Sequence, residues 1–493
     1  MKKVFLLSLL VFCVTGQQIL GQPTVTLSPK YQKLELQATP EQKTKLVNLR
    51  KEITTKKYTF VVGNTKVSNL PIARITGEKE PTAAQVAKIK ELNLTYSRLN
   101  QFREIPASFH PIQLGLSGCA ATASKLDLRS RGLVTPVRDQ GGCGSCWAFG
   151  TMAAFESSYV LINGVSPAAT DVSERQVLNC SNAGDCVGGY SWEVFEWMVN
   201  LKKNVDTEAA NPYQPSKVAC ASGSPNTAYY AYKWGVIHPS GDVSQIATTQ
   251  QIKEAMCQHG VVVTSLLVTD LFQNYAGGVF NENVGGDPRT NHVVAIVGWD
   301  NTKQAFLIKN SWGTDWGEDG YMWIKYGSNF IGRRGLWVEA EKLDDCIYFD
   351  PAKLTIQAFG SSGQYRLIEG SKALLLFPNK AEAEKSMELI KKYQLNKQCF
   401  VGRPDPSMEY WTKGNATPAG AQAGEDCIGF TPGNLKVQKM GSNWKITDGS
   451  SLLFDFGSSE KEARMALAII KKYGFTRTCY VGRPDPSLEY MRK

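Results

Sequence analysis

A chain of 493 residues with 42% hydrophobic and 20% charged side chains is too long for one ordinary core and too apolar to stay disordered, so two to four globular units are expected. The net charge is +10. The lysines are spread along helix-like stretches without interleaved aromatics, which speaks against a nucleic-acid surface.

Met1-Lys2-Lys3 followed by the apolar residues 4–12 has the form of an export signal, too short to span a bilayer, with Gly16 and Gly21 offering small residues for cleavage. Residues 1–21 are read as a signal peptide, and the mature chain as secreted, periplasmic or extracellular. Phe12 stands before Cys13 where a lipid-anchor pathway needs a small residue. No later segment is apolar enough to be transmembrane. Twelve cysteines fit an oxidising compartment: one lies in the signal, one is a candidate nucleophile, and ten remain to pair.

Residues 22–118 are polar. Apolar spacing predicts helices over 39–56 and 81–104, the second with Val86, Ile89, Leu92, Tyr96 and Leu99 on one face, and a strand over 58–62 between them. A segment of this size between an export signal and a reactive thiol is read as a prosegment that blocks a cleft until removed. The alternative is a small accessory domain that stays attached.

The chemistry lies in the next 220 or so residues. Cys146 follows the glycine-rich run Gln140-Gly141-Gly142-Cys143-Gly144-Ser145 and opens an amphipathic helix predicted over 147–164, with Phe149, Met152, Phe155 and Tyr159 at helical spacing. A thiol at a helix N-terminus beside an imidazolium favours thiolate, with a pKa drawn from about 8.5 into the range of roughly 3.5 to 7.5. His292 precedes the apolar strand 293–297, and Asn310 follows the apolar run 305–308. Thiol, imidazole and amide form a set for nucleophilic catalysis, with a helix-borne sulfur facing a strand-borne base across a cleft. Neither paired CxxC motifs nor a His-x-x-x-His spacing appears, so no metal and no cofactor is expected.

From Cys346 the chain repeats itself. The residues around Ile390 to Tyr393, Cys399, the Gly402-Arg403-Pro404-Asp405-Pro406-Ser407 loop and Glu409-Tyr410 return 80 positions later, around Ile470, Cys479, Gly482 to Ser487 and Glu489-Tyr490. One disulfide per copy, Cys346 with Cys399 and Cys427 with Cys479, is the economical pairing. Each copy reads strand, strand, strand, helix, strand, and residues 414–424 read as a flexible joint. The shared loop is either a structural turn or a contact site, with the turn favoured.

Gln140 to Phe149, Cys186-Val187-Gly188-Gly189, Asn291-His292 and Asn310-Ser311-Trp312-Gly313 through Tyr321 resemble, in that order, the motifs of papain-like cysteine peptidases. The resemblance covers about residues 125–340 and implies an α+β fold with a helical lobe, a β-rich lobe and a cleft between them. It implies Cys146 as nucleophile, His292 as acid and base, and Asn310 as the group that orients the ring under the cover of Trp312. Gln140 and the Cys146 backbone N–H would form the oxyanion hole, and Gly188 and Gly189 the strip that pairs with an extended substrate. The family's disulfides map onto Cys143 with Cys186 and Cys180 with Cys220; whether Cys119 pairs with Cys257 is left open. Leu128 stands where the family commonly has a tryptophan. The prosegment lacks the family's long helical signature, so a backward-threaded inhibitory segment does not follow from the likeness.

The expected organisation is signal peptide 1–21, prosegment 22–118, peptidase 119–342, and α+β repeat modules 343–413 and 425–493. The expected activity is an exported endopeptidase acting on peptide or protein substrates through a Cys146 thioester. Two other readings share these residues: a surface-binding or adhesion protein whose repeats hold a surface or glycan partner, and a transpeptidase in which an amine replaces water.

Overall fold

The computed structural model describes residues 26–102, 116–221, 225, 227–360, 363–402 and 406–493. The expected signal peptide and the end of the helix expected over 81–104 lie outside these residues. Among the described residues no helix is long and apolar enough to cross a membrane.

Local sequence sets the first elements. Thr39 caps the helix Pro40–Lys56: its hydroxyl accepts from the Gln42 N–H, the Gln42 side chain accepts from the Thr39 N–H, and proline follows at the first helical position. The helix buries Leu46 and Leu49. The strand Phe60–Val62 then pairs antiparallel with Tyr275–Phe280, and Phe60 packs on Phe280 with ring centroids 4.5 Å apart. The N-terminal region is thus an edge strand of the main sheet. A second helix runs Ala83–Phe102.

The main body has two lobes. The helical lobe is built on Cys146–Asn163, buried along most of its length, with the shorter helices Glu174–Cys180 and Ser191–Val199. The β-rich lobe is a sheet whose central strand, His292–Asp300, lies between Val262–Leu266 and Ala305–Lys309. All but the last residue of the central strand is buried, so a continuous apolar run is the pattern its position requires. The long helix packs directly on this strand; at Gly150 even a Cβ would come within 2.7 Å of Val293.

Disulfides join Cys119 to Cys257, Cys143 to Cys186, Cys180 to Cys220, Cys346 to Cys399 and Cys427 to Cys479. Among the described residues Cys146 is the free cysteine.

The C-terminal modules differ from the sequence expectation in two ways. Each has two more strands than predicted. In the first, Asp345–Tyr348, Lys397–Val401 and Met408–Thr412 form one sheet, and Leu354–Phe359, Gln364–Glu369 and Lys372–Phe377 form another. The missed strands are four and five residues long and sit against a disulfide or a proline-rich turn, where alternation has no room to show. In the second module the Gly482 to Ser487 loop joins two paired strands, Arg477–Val481 and Leu488–Arg492, which is the structural reading of that loop; residues 403–405 of the first copy lie outside the described residues.

The second difference is the joint. Glycine and alanine content suggested a flexible link over 414–424, but tyrosines from both modules and Thr417 clamp it. Tyr393 donates to the Gly420 carbonyl at 2.7 Å and Thr417 to the Tyr473 carbonyl at 2.5 Å. Glu425 accepts from Tyr393 of the first module and Tyr490 of the second, both at 2.6 Å. Ser407 donates to Glu462 and Ser487 to Glu382, each at 2.6 Å. These reciprocal bonds make the modules one packed pair.

Candidate active site

Cys146 is the first residue of its helix, and the preceding Ser145 offers no side-chain cap. Its hydroxyl is engaged instead with Tyr213, 2.7 Å away, so the first helical N–H groups stay uncapped by side chains. The backbone N–H groups of Val293, Gly77 and Trp147 act on the thiol. Since Val293 follows His292, the sheet brings the thiol beside the strand that carries the imidazole.

His292 Nε2 lies 2.8 Å from Asn310 Oδ1, and that oxygen also accepts from the Ser311 N–H at 2.8 Å. An amide oxygen only accepts, so Nε2 carries the hydrogen and Nδ1 is the basic nitrogen. Nδ1 is buried without a protein partner. The Trp312 ring covers the imidazole at 4.8 Å between centroids, and Phe272 borders it edge-on at 6.4 Å. Gln140 is fully buried, and its amide orientation is set by Ser311, whose hydroxyl donates to Oε1 at 2.6 Å. Gly188 and Gly189 pair with Gly184–Asp185 in a short hairpin. A Cβ on Gly189 would fall 2.6 Å from the Trp147 ring.

The cleft is filled by the chain's own residues 74–80. Gln140 Nε2 and Trp312 Nε1 donate to the Ile75 carbonyl at 3.1 and 3.0 Å. Gly77 and Glu78 N–H groups both donate to the Asn291 carbonyl at 3.0 Å, Gly189 N–H donates to the Gly77 carbonyl at 2.8 Å, and Lys79 N–H to the Gly189 carbonyl at 3.2 Å. Glu78 is therefore bridged in parallel to Gly189. Only glycine fits at 77, where a Cβ would come within 1.8 Å of the Gly144 carbonyl oxygen.

This cover reverses the ionisation expected from the sequence. Burial pushes the Cys146 thiol up to about 12. Burial likewise lowers His292 to about 4, against the opposing bond from Asn310. A thiolate and an imidazolium each lose more hydration under the segment than the helix N-terminus and the nearby amides return, so both groups are neutral here.

One carboxylate of the cover meets a buried guanidinium. Glu78, 3% exposed, meets Arg334, 1% exposed, at 2.6 Å. Ser265 and Thr290 also donate to Glu78, and Arg334 donates to Thr290 at 2.9 Å. Glu80 is held by Arg333 at 2.7 Å and by Arg334. Burial alone would raise the Glu80 carboxyl, but the bonds from Arg333 and Arg334 outweigh it and hold the group below its usual range.

Sheet register builds this pocket. Ser265 pairs with Val293 on one side and with Arg333 on the other. A bulge between Arg333 and Leu336 places Arg334 in the left-handed region at φ 50°. Successive side chains of a regular strand face opposite ways; the bulge lets neighbouring arginines grip the same carboxylate.

The sequence-predicted residues Cys146, His292, Asn310, Gln140, Trp312, Gly188 and Gly189 all line this one cleft. Sequence reasoning missed Ile75 to Glu80, Ser265, Thr290, Ser311, Arg333 and Arg334. A signal for the last two was present: an arginine pair flanked by Gly332 and Gly335 within an otherwise apolar stretch.

Residues 122–339 match the family described as papain family cysteine protease. Cysteine proteinase 3 of Solanum lycopersicum is 33% identical over 255 residues, covering 48% of this chain and 68% of the tomato protein. The chain belongs to the papain family of cysteine proteases. Peptidase 1 of Dermatophagoides farinae is 35% identical over 214 residues, covering 42% of this chain and 62% of its own. Ananain of Ananas comosus is 32% identical over 232 residues, covering 45% and 60%. The match thus spans about three fifths of the length of these last two papain-family relatives. Among solved structures, digestive procathepsin L 3 of Tenebrio molitor larval midgut has a TM-score of 0.47 at 24% identity, covering 63% of this chain and 93% of that one.

Proposed function

We propose that this chain is the precursor of an exported papain-like cysteine endopeptidase, with residues 22–118 as a prosegment and residues 119–342 as the peptidase. The observation that carries the reading is the bare Nδ1 of His292, whose other nitrogen is committed to Asn310, on the strand whose next residue, Val293, acts on the Cys146 thiol.

In the uncovered enzyme, an extended substrate would pair with Gly188 and Gly189 and place its scissile carbonyl oxygen where Ile75's now sits, within reach of Gln140 Nε2. Rehydration of the cleft lets the proton pass from sulfur to His292 Nδ1, giving thiolate and imidazolium. The sulfur attacks the carbonyl carbon, the oxyanion is held by Gln140 and the Cys146 N–H, and His292 protonates the departing amine. The resulting thioester is cleaved by water, from which His292 removes a proton. Asn310 fixes the ring without adding a negative charge, and Trp312 keeps water from that bond.

Residues 74–80 block this sequence by occupying the floor, the oxyanion site and the neighbouring pocket together, in a direction parallel to Gly189. Cys146→Ala should abolish peptide hydrolysis, a loss on the order of 10⁶-fold, and labelling by a thiol-directed epoxide, with the far-ultraviolet spectrum unchanged. Hydrolysis surviving in that variant would refute the mechanism.

A further inference from the structure

Resting on the peptidase reading, we propose that Arg334 makes the pocket opposite Gly189 selective for an acidic side chain, preferentially glutamate, at the second residue on the acyl side of the scissile bond. The position follows from the cover. Gly77 lies at the thiol, and Glu78, one residue on, is bridged to Gly189 with its carboxylate in the pocket. A substrate strand laid on the same glycine sets its corresponding residue over the same opening.

The chemistry follows from burial. Arg334 is 1% exposed, and a guanidinium does not shed its charge in a protein. The carboxylates that act on it are Glu78 and Glu80, both from the covering segment and both removed with it. What the body contributes beside the charge is two hydroxyls, Ser265 and Thr290. They donate to a carboxylate, leaving the emptied pocket with the Arg334 cation and hydroxyl donors, and with Arg333 beside it freed of Glu80. A leucine there would strand the cation. A glutamate restores both the ion pair and the hydroxyl bonds, with the two methylenes that Glu78 already uses to reach Arg334. The left-handed backbone at Arg334, φ 50°, is a conformation a branched apolar residue would resist, and it aims the guanidinium at this position.

The test uses full-length protein activated by removal of its N-terminal region and three peptides differing only at that position: glutamate, glutamine and leucine. Wild type is expected to show a kcat/KM for glutamate at least tenfold above glutamine, and higher still above leucine. The advantage should shrink as pH falls through the peptide carboxyl's own titration. Arg334→Met should invert the order, with leucine best. Equal or better cleavage of the glutamine or leucine peptide by wild type would overturn the proposal and leave Arg334 a latch for the precursor, whether or not the variant folds. No cleavage of any peptide by protein whose Cys146 still takes up the epoxide would instead sink the peptidase reading, and the preference with it.

Discussion

The two ends of the covered cleft treat charge in opposite ways. At the thiol end, Cys146 and His292 are fully buried and neutral, because burial disfavours each ion and the cover supplies hydrogen bonds without a counter-charge. At the arginine end, Glu78 and Arg334 are just as buried yet form an ion pair reinforced by Ser265 and Thr290. Burial alone does not decide ionisation; what decides it is whether the desolvated ion meets an opposite charge with its remaining bonding positions filled. One segment, 74–80, thus silences the nucleophile and satisfies the pocket.

The arginine end offers the largest break in that comparison. Glu78→Gln keeps the shape but removes the buried counter-charge, leaving Arg334 beside a neutral amide with the half-exposed Glu80 as its remaining ion partner. Breaking a buried pair in this way costs about 3 to 5 kcal/mol, so the precursor should lose its latency and be cut within 74–80 by an added protease far faster than wild type. Unaltered latency and cutting rate would show that the pair does not hold the cover. At the thiol end, Gln140→Ala should lower kcat of the activated enzyme by about 10² to 10³ with little change in KM, since it removes an oxyanion donor. An unchanged kcat would leave Gln140 with the role of gripping the cover alone.

Acid should open the cover from the arginine end. At the thiol end the covered neutral pair and the uncovered thiolate–imidazolium pair hold the same single proton, so that end adds no pH dependence near neutrality. Glu80 is held below 4.5; its contribution is complete above that value and is lost below it. Precursor activation followed against pH should therefore accelerate on acidification below about 4.5, and Glu80→Gln, scored by proteolysis within 74–80 by an added protease, should show a flatter response. A wild-type cover that is cut at the same rate well above and well below that value would contradict this assignment.

The thiol end was legible in the sequence and the arginine end was not, for a physical reason. Cys146, His292 and Asn310 sit at the boundaries of strongly patterned elements, a long helix and two apolar strands, so local signals mark them. The pocket around Arg334 draws Ser265 and Arg334 from two strands and Thr290 from a loop and depends on a bulge between Arg333 and Leu336, and register between distant segments leaves little local trace. The segment 74–80 has hardly any regular structure of its own; its conformation comes from the cleft it fills. The joint over 414–424 was misread for the same reason, because its restraint comes from tyrosines such as Tyr393 and Tyr473 well outside it.

The central claim is that covering by residues 74–80 keeps the nucleophile uncharged and uncovering charges it. Thiolate absorbance in the ultraviolet, titrated against pH with the Cys146→Ala protein subtracted, reads this without requiring a reagent to reach the sulfur. The covered precursor should show Cys146 ionising only far into the alkaline range, near about 12, whereas the protein freed of its N-terminal region should show it ionised at and below neutrality. Coincident titrations of the two forms would contradict the account.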